Sequence, residues 1–183
     1  MRRTSLLLLA ACAATPAAAE MDSAFVTQLS ISVAKVRAHT AQGKTFLGSG
    51  VVVATDEVLT NCHVTRDASS IAVVKGALAY NVYSQRVDME HDLCLLKTDA
   101  MMLKPVPVRD SASLKPGDRS IYYGYTGGVE AFFAEGKVTA LHKLDGSAVI
   151  ETSSGFSLGA SGGGLFDEQG RLIGITTFLS AGH

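Results

Sequence analysis

GSGVVVATDEVLTNCHV, residues 48–64, holds an unbroken β-branched run, Val51 to Val53, closed by Thr55-Asp56, and then TNCHV at 60–64. A short run of this kind, bounded by glycine and a polar turn, reads as a buried strand rather than a helix. TNCHV carries the chain's only adjacent cysteine and histidine. A single histidine near a strand end decides nothing by itself. Whether His63 does chemistry depends on an acid and a nucleophile elsewhere in the chain.

Outward from this stretch the same texture continues. β-branched or aromatic runs at 32–37, 50–54, 71–75, 81–87 and 93–97 precede the polar segment RDSASLKPGD, residues 109–118. Further runs at 119–124, 136–142, 148–152, 163–166 and 172–178 follow it, and only 23–29 has a helical pattern. Strands separated by Gly, Pro, Asp and Ser, with no helical period between them, predict an all-β fold built as a sandwich or closed barrels. The Pro-Gly-containing segment predicts the connection between two β halves, 24–110 and 111–183.

The first 19 residues read as a secretory signal. Arg2 and Arg3 precede four leucines and an alanine-rich run that ends in Ala17-Ala18-Ala19 before Glu20. LAAC at 9–12 offers a lipoprotein alternative, in which Cys12 becomes the lipid-anchored first residue, and Arg2-Arg3 is compatible with twin-arginine export. Export predicts a periplasmic or secreted protein. Cleavage leaves 164 residues with 14 basic and 17 acidic side chains, a net charge of −3. A surface of that sign argues against nucleic acid as a partner, because phosphate binding needs a basic face. No later apolar run is long enough to span a bilayer. Cys62 and Cys94 remain after cleavage, and an oxidising compartment permits a disulfide. The sequence has no CxxC pair and no His/Cys cluster at metal-ligand spacing, so neither a metal nor a cofactor is expected.

The second half contains GASGGG, residues 159–164. Glycines packed around one serine predict a turn that takes positive φ or approaches another group closely. Two readings follow: a flexible turn, or a strained one that exposes the Ser161 hydroxyl and lets the amides of Gly159 and Ser161 converge on a developing oxyanion. G-A-S-G-G also fits the nucleophile elbow of α/β-hydrolases. That fold requires a helix after the serine and a histidine further on. Here GGGLFDEQGRLIGI follows, which reads as a hairpin, and only His183 is left as a base. The elbow is rejected. HDLCLL, residues 91–96, places Asp92 at the head of a strongly apolar run, where a partly buried carboxylate needs a donor. An imidazole N–H is a suitable one, so Asp92 can fix the tautomer of His63, and His63 can take the proton of Ser161.

Taken in order, GSGVVVATDEVLTNCHV, HDLCLLK, LKPGDRSIYYGYTGG and IETSSGFSLGASGGGLFDEQGRLIGIT resemble the trypsin-like serine peptidases, and most closely the bacterial HtrA (Deg) branch. The resemblance runs from about residue 33 to 178. It implies a chymotrypsin-like pair of antiparallel β-barrels, each of the six-stranded type, and a serine endopeptidase acting on polypeptide substrates. His63, Asp92 and Ser161 match the triad, and Gly159 with Ser161 matches the oxyanion hole. Gly155, six residues before Ser161, stands at the base of the specificity pocket, where nothing favours Lys or Arg. Thr176, Thr177 and Phe178 fall where the family runs a strand along the bound peptide by β-augmentation. Thr177 also matches a hydroxyl residue that supports the acid. Cys62 and Cys94 match core positions behind the triad, and a disulfide between them is implied. His39, His91 and His142 match no family motif.

Departures from the family carry expectations of their own. Ala160 stands where digestive members carry the acid that captures a freed N-terminus, so that activation switch is not expected. A PDZ module of the kind that follows the peptidase domain in HtrA proteins is not expected. After Phe178 only LSAGH remains, where the family continues with one more strand and a C-terminal helix. The second barrel is therefore expected to lack its last strand, or to be completed by a partner chain. Two other functions are compatible with the same residues: a non-catalytic, peptide-binding pseudoprotease, and an esterase using the same triad.

Overall fold

A computed structural model of the chain describes residues 22–127, 129–155 and 160–177. The short helix α1 (Ser23–Ser30) is capped by Asp22, whose carboxylate accepts from the Ala24 N–H at 3.0 Å. It leads into β1 (Val33–His39), β2 (Thr45–Ala54) and β3 (Glu57–Asn61). A single helical turn, α2 (Cys62–Thr65), interrupts the strands before β4 (Ser70–Lys75), β5 (Leu78–Asp88) and β6 (Leu93–Thr98). These six close into an antiparallel barrel in the order β1-β2-β3-β6-β5-β4. β7 (Arg119–Thr126), β8 (Glu130–Leu144), β9 (Ser147–Thr152), β10 (Gly164–Phe166) and β11 (Leu172–Ile175) form a second antiparallel sheet in the order β11-β10-β7-β8-β9. The expected all-β, chymotrypsin-like architecture is the one observed: a closed first barrel and, among the described residues, an open second one of five strands.

The apolar runs without alternation mark where the two halves meet. Along β2, Val52 points into the barrel with Val36, Val58, Val73 and Leu96, while Val51 faces the second sheet. β7 mirrors this: Tyr122 packs inward with Val138 and Leu165, while Ile121 and Tyr123 turn toward Val33, Val51 and Phe166. A strand covered on both faces has no solvent side for polar residues, so its sequence reads as continuously apolar. Each fully buried valine contributes roughly 1.5–3 kcal/mol. β5, by contrast, carries mostly exposed residues on the outside of the barrel.

The connection at 109–118 is pinned rather than loose. Arg109 donates its main-chain N–H to Leu172 O at 2.9 Å, and its guanidinium reaches Ser113 O and Asp118 Oδ2, both at 2.8 Å. The fully buried Asp167 beyond it is bonded by the Arg171 guanidinium at 2.7 Å. Two elements differ from the sequence reading. β3 is a strand that the pattern did not separate, because two of its five residues, Thr60 and Asn61, are polar yet fully buried. β8 extends over 15 residues, well beyond 136–142, because its first half is an exposed ribbon held by pairing to β7 rather than by an apolar face.

Candidate active site

The base and the acid leave the ends of two paired strands. Asn61 is registered against Leu93 and Thr60 against Cys94, so α2 and the residue preceding β6 emerge side by side. Asp92 adopts φ 54°, a left-handed backbone that an aspartate tolerates better than most residues. Its carbonyl accepts from the Cys62 N–H at 3.2 Å and from Asn61 Nδ2 at 3.0 Å. Its carboxylate then meets His63 twice: Oδ1 accepts from the His63 main-chain N–H at 2.9 Å, and Oδ2 lies 2.7 Å from Nδ1. Thr177 donates its hydroxyl to the same Oδ2 at 2.6 Å. Burial pushes the Asp92 carboxyl up, but the Thr177 hydroxyl and the two His63 donors outweigh it and hold the group below its ordinary 3.8.

Directly behind this corner Cys62 and Cys94 form a disulfide, with Cα atoms 4.9 Å apart and both residues fully buried. Its sequence separation of 32 residues corresponds to roughly 3–4 kcal/mol of lost chain entropy in the unfolded state.

The serine arrives from the other sheet. His63 Nε2 lies 2.9 Å from Ser161 Oγ. With Nδ1 directed at a carboxylate, the ring proton belongs on Nδ1, and the Nε2 lone pair faces the hydroxyl. Ser161 sits in a turn bound to both halves. Its carbonyl accepts from the Ser49 N–H at 2.8 Å, and the Gly162 N–H donates to Asn61 Oδ1 at 2.7 Å and to Thr176 O at 3.0 Å. Gly162 has φ 79°, and a Cβ there would stand 2.0 Å from Ser49 O, so only glycine fits. Ser49 is itself a fully buried junction: its carbonyl accepts from Thr60 Oγ1 at 2.7 Å and its Oγ from the Tyr125 N–H at 2.7 Å.

The structure thus brings His63, Asp92, Ser161 and Thr177 into one chain of contacts, from three widely separated stretches. Gly155 and Thr177 line a cleft of about 860 Å³ beside the acid, walled by Ile150, Leu165 and Ile173. Thr176 also lines this cleft; its N–H donates to Gly163 O at 2.9 Å and its hydroxyl to Ala160 O at 2.7 Å, so its donors brace the serine turn. Gly159, Phe178, Cys12 and the whole of 1–19 lie outside the described residues. His39, His91 and His142 bond elsewhere, to Thr45, Asp88 and Glu151. Sequence reasoning passed over Ser49, Thr60 and Asn61. The signal was present in the quoted stretch: small polar residues inside an apolar strand context, which burial obliges to find partners.

Comparison with known proteins places the chain in a family. The trypsin-like peptidase domain matches residues 48–175, and the chain belongs to that family. A DegP-like periplasmic serine endoprotease from Chlamydia muridarum is 32% identical over 142 residues, 74% of this chain and 29% of that one. Serine protease HhoB from Synechocystis is 30% identical over 144 residues, 73% of this chain and 35% of its own length. The chain therefore spans about a third or less of these relatives. Among solved structures, the HtrA-type protease AlgW with a tripeptide superposes with a TM-score of 0.74 at 28% identity, over 86% of this chain and 55% of that one. Among the described residues, no helix is long and apolar enough to cross a membrane.

Proposed function

We propose that this chain is a serine endopeptidase in which Ser161 is the nucleophile, His63 the general base and then the general acid, and Asp92 the group that orients and stabilises the imidazole. The observation that carries the reading is the continuous path from Asp92 Oδ2 to His63 Nδ1 (2.7 Å) and from Nε2 to Ser161 Oγ (2.9 Å). As Oγ attacks the scissile carbonyl, its proton passes to Nε2, and the imidazolium that forms is stabilised by Asp92. The tetrahedral oxyanion is received by the main-chain amides of Ser161 and Gly159. On collapse, Nε2–H protonates the departing amine. Water then enters by the same route in reverse and releases the acyl group from Ser161.

The substrate proposed is an exposed or unfolded segment of polypeptide in the periplasm or outside the cell, reached after removal of residues 1–19. The peptide lies along Thr177 and Phe178. Gly155 puts no acid at its own position in the neighbouring cleft, where Ile150, Leu165 and Ile173 offer an apolar wall beside Glu90 and Glu151.

The test is hydrolysis of casein by the wild-type protein and by Ser161→Ala. The alanine variant is expected to lose on the order of 10⁴–10⁶ in turnover. Retention of more than a few per cent of the activity overturns the assignment. Comparing amide with ester substrates distinguishes a peptidase from an esterase, and a wild-type protein inert toward both is a pseudoprotease.

A further inference from the structure

Asn61 is fully buried at the residue that precedes α2, the place from which an asparagine side chain ordinarily accepts the first N–H groups of a helical turn. Here its side chain makes no such bond. Asp92, just before the neighbouring strand β6, takes that place, its carbonyl accepting from the Cys62 N–H and its Oδ1 from the His63 N–H. The Asn61 amide is thereby free to bridge. Nδ2 donates to the Asp92 carbonyl at 3.0 Å, and Oδ1 accepts from the Gly162 N–H at 2.7 Å, a residue 101 positions away. The orientation of the amide follows from its partners: a carbonyl only accepts and an N–H only donates, so a flipped amide would set like dipoles against each other at both ends.

We propose that Asn61 is a positioning residue for the reaction, tying the backbone of the acid, Asp92, to the backbone immediately after the nucleophile, and so setting the distance between His63 and Ser161. This rests on the serine-peptidase reading and adds to it a bridge between the backbones on the two sides of the triad. Asp92 has a left-handed backbone, φ 54°, which in a residue other than glycine persists only where the surroundings over-determine it. The Asn61 amide supplies part of that constraint, and it ties Asp92 to Gly162 across the boundary between the barrel and the open sheet. If it is removed, each side keeps its own fold: Gly162 N–H still has Thr176 O, and the Asp92 carbonyl still has the Cys62 N–H. What is lost is one of the two barrel bonds to the serine turn, the one that also reaches the acid; the Ser49 N–H to Ser161 O bond alone is left to keep Nε2 within reach of Oγ. A displacement of about 1 Å there costs up to ~10²-fold in rate.

The experiment compares wild type, Asn61→Ala and Ser161→Ala, each well below its own melting temperature. The readouts are kcat and KM on fluorescently labelled casein and the rate of inactivation by a fluorophosphonate. For Asn61→Ala, kcat and the inactivation rate are expected to fall together by about 10- to 100-fold, with KM within about twofold of wild type. A merely structural asparagine would lower the melting temperature and leave both rates at the wild-type level in the folded protein, and that result overturns the proposal. If the alanine variant does not fold, Asn61→Asp is judged by the same criteria. It keeps the acceptor for Gly162 and loses the donor to Asp92. Activity surviving in Ser161→Ala removes the serine-peptidase reading itself, whereas an inert Ser161→Ala beside a fully active Asn61→Ala removes only the role of Asn61.

Discussion

The two sides of the site are placed by different means. His63 and Asp92 leave adjacent ends of β3 and β6, in a barrel with no open edge, and a disulfide closes the same corner one residue from the histidine and two from the aspartate. Ser161 stands on a turn of an open five-stranded sheet, and two of the bonds holding that turn, from the Ser49 N–H and to Asn61 Oδ1, come from the barrel. The barrel fixes its pair of residues largely by itself. The serine is fixed by the contact between the halves. Geometry at the serine should therefore be more sensitive to changes at that boundary than geometry at His63 and Asp92.

The harshest way to break the contrast is Gly162→Ala. An added methyl meets Ser49 O at 2.0 Å and Thr60 Oγ1 at 2.6 Å, in a backbone with φ 79°. Strain and clash together are expected to cost about 4 kcal/mol or more, read by urea denaturation. A loss under about 1 kcal/mol would mean that the turn can move away from Ser49 at little cost.

The matching test on the barrel side is Cys62→Ala with Cys94→Ala. Its expected cost is roughly 3–4 kcal/mol of stability in the same measurement. A value near zero would show that the strand pairing alone secures the corner.

Thr177→Val is milder and falls between the two regions, since Thr177 follows β11 and bonds the acid of the other half at 2.6 Å. Loss of a hydrogen bond to a half-exposed carboxylate is expected to cost about 1–2 kcal/mol. If the same loss is felt in the transition state, kcat/KM falls about tenfold. An unchanged kcat/KM would assign Thr177 to stability alone.

The smallest effect is the pH dependence that Thr177 imposes. Asp92 is held below 3.8 in the folded state, so its bonds stabilise the fold at pH above that value. That contribution disappears as the pH falls through the folded value. The stability difference between wild type and Thr177→Val should accordingly narrow below about pH 4. A gap that stays constant down to pH 2 would contradict the depressed carboxyl.

How far the sequence revealed this arrangement depended on the kind of signal involved. His63, Asp92 and Ser161 stood out as candidates at changes of texture, a histidine closing an apolar approach, an acid heading LCLL and a serine among glycines, and the family resemblance singled them out together. β2 and β7 were legible as unbroken apolar runs. β3 was not, because Thr60 and Asn61 look like turn residues until their distant partners, Ser49 and Gly162, are known. The bonds from Thr176 to Gly163 and Ala160 were likewise not legible, because their partners lie on the serine turn. In each case local pattern gave the type of residue, and long-range pairing gave its use.

The central claim is that Ser161 is activated by His63 from across the boundary between the halves. It is tested most directly by labelling the folded protein with a fluorophosphonate and locating the adduct by peptide mass spectrometry. The account predicts one adduct per chain, on Ser161, formed readily in wild type and almost abolished in His63→Ala. An adduct on another residue, or labelling of Ser161 that proceeds equally well without His63, would contradict it.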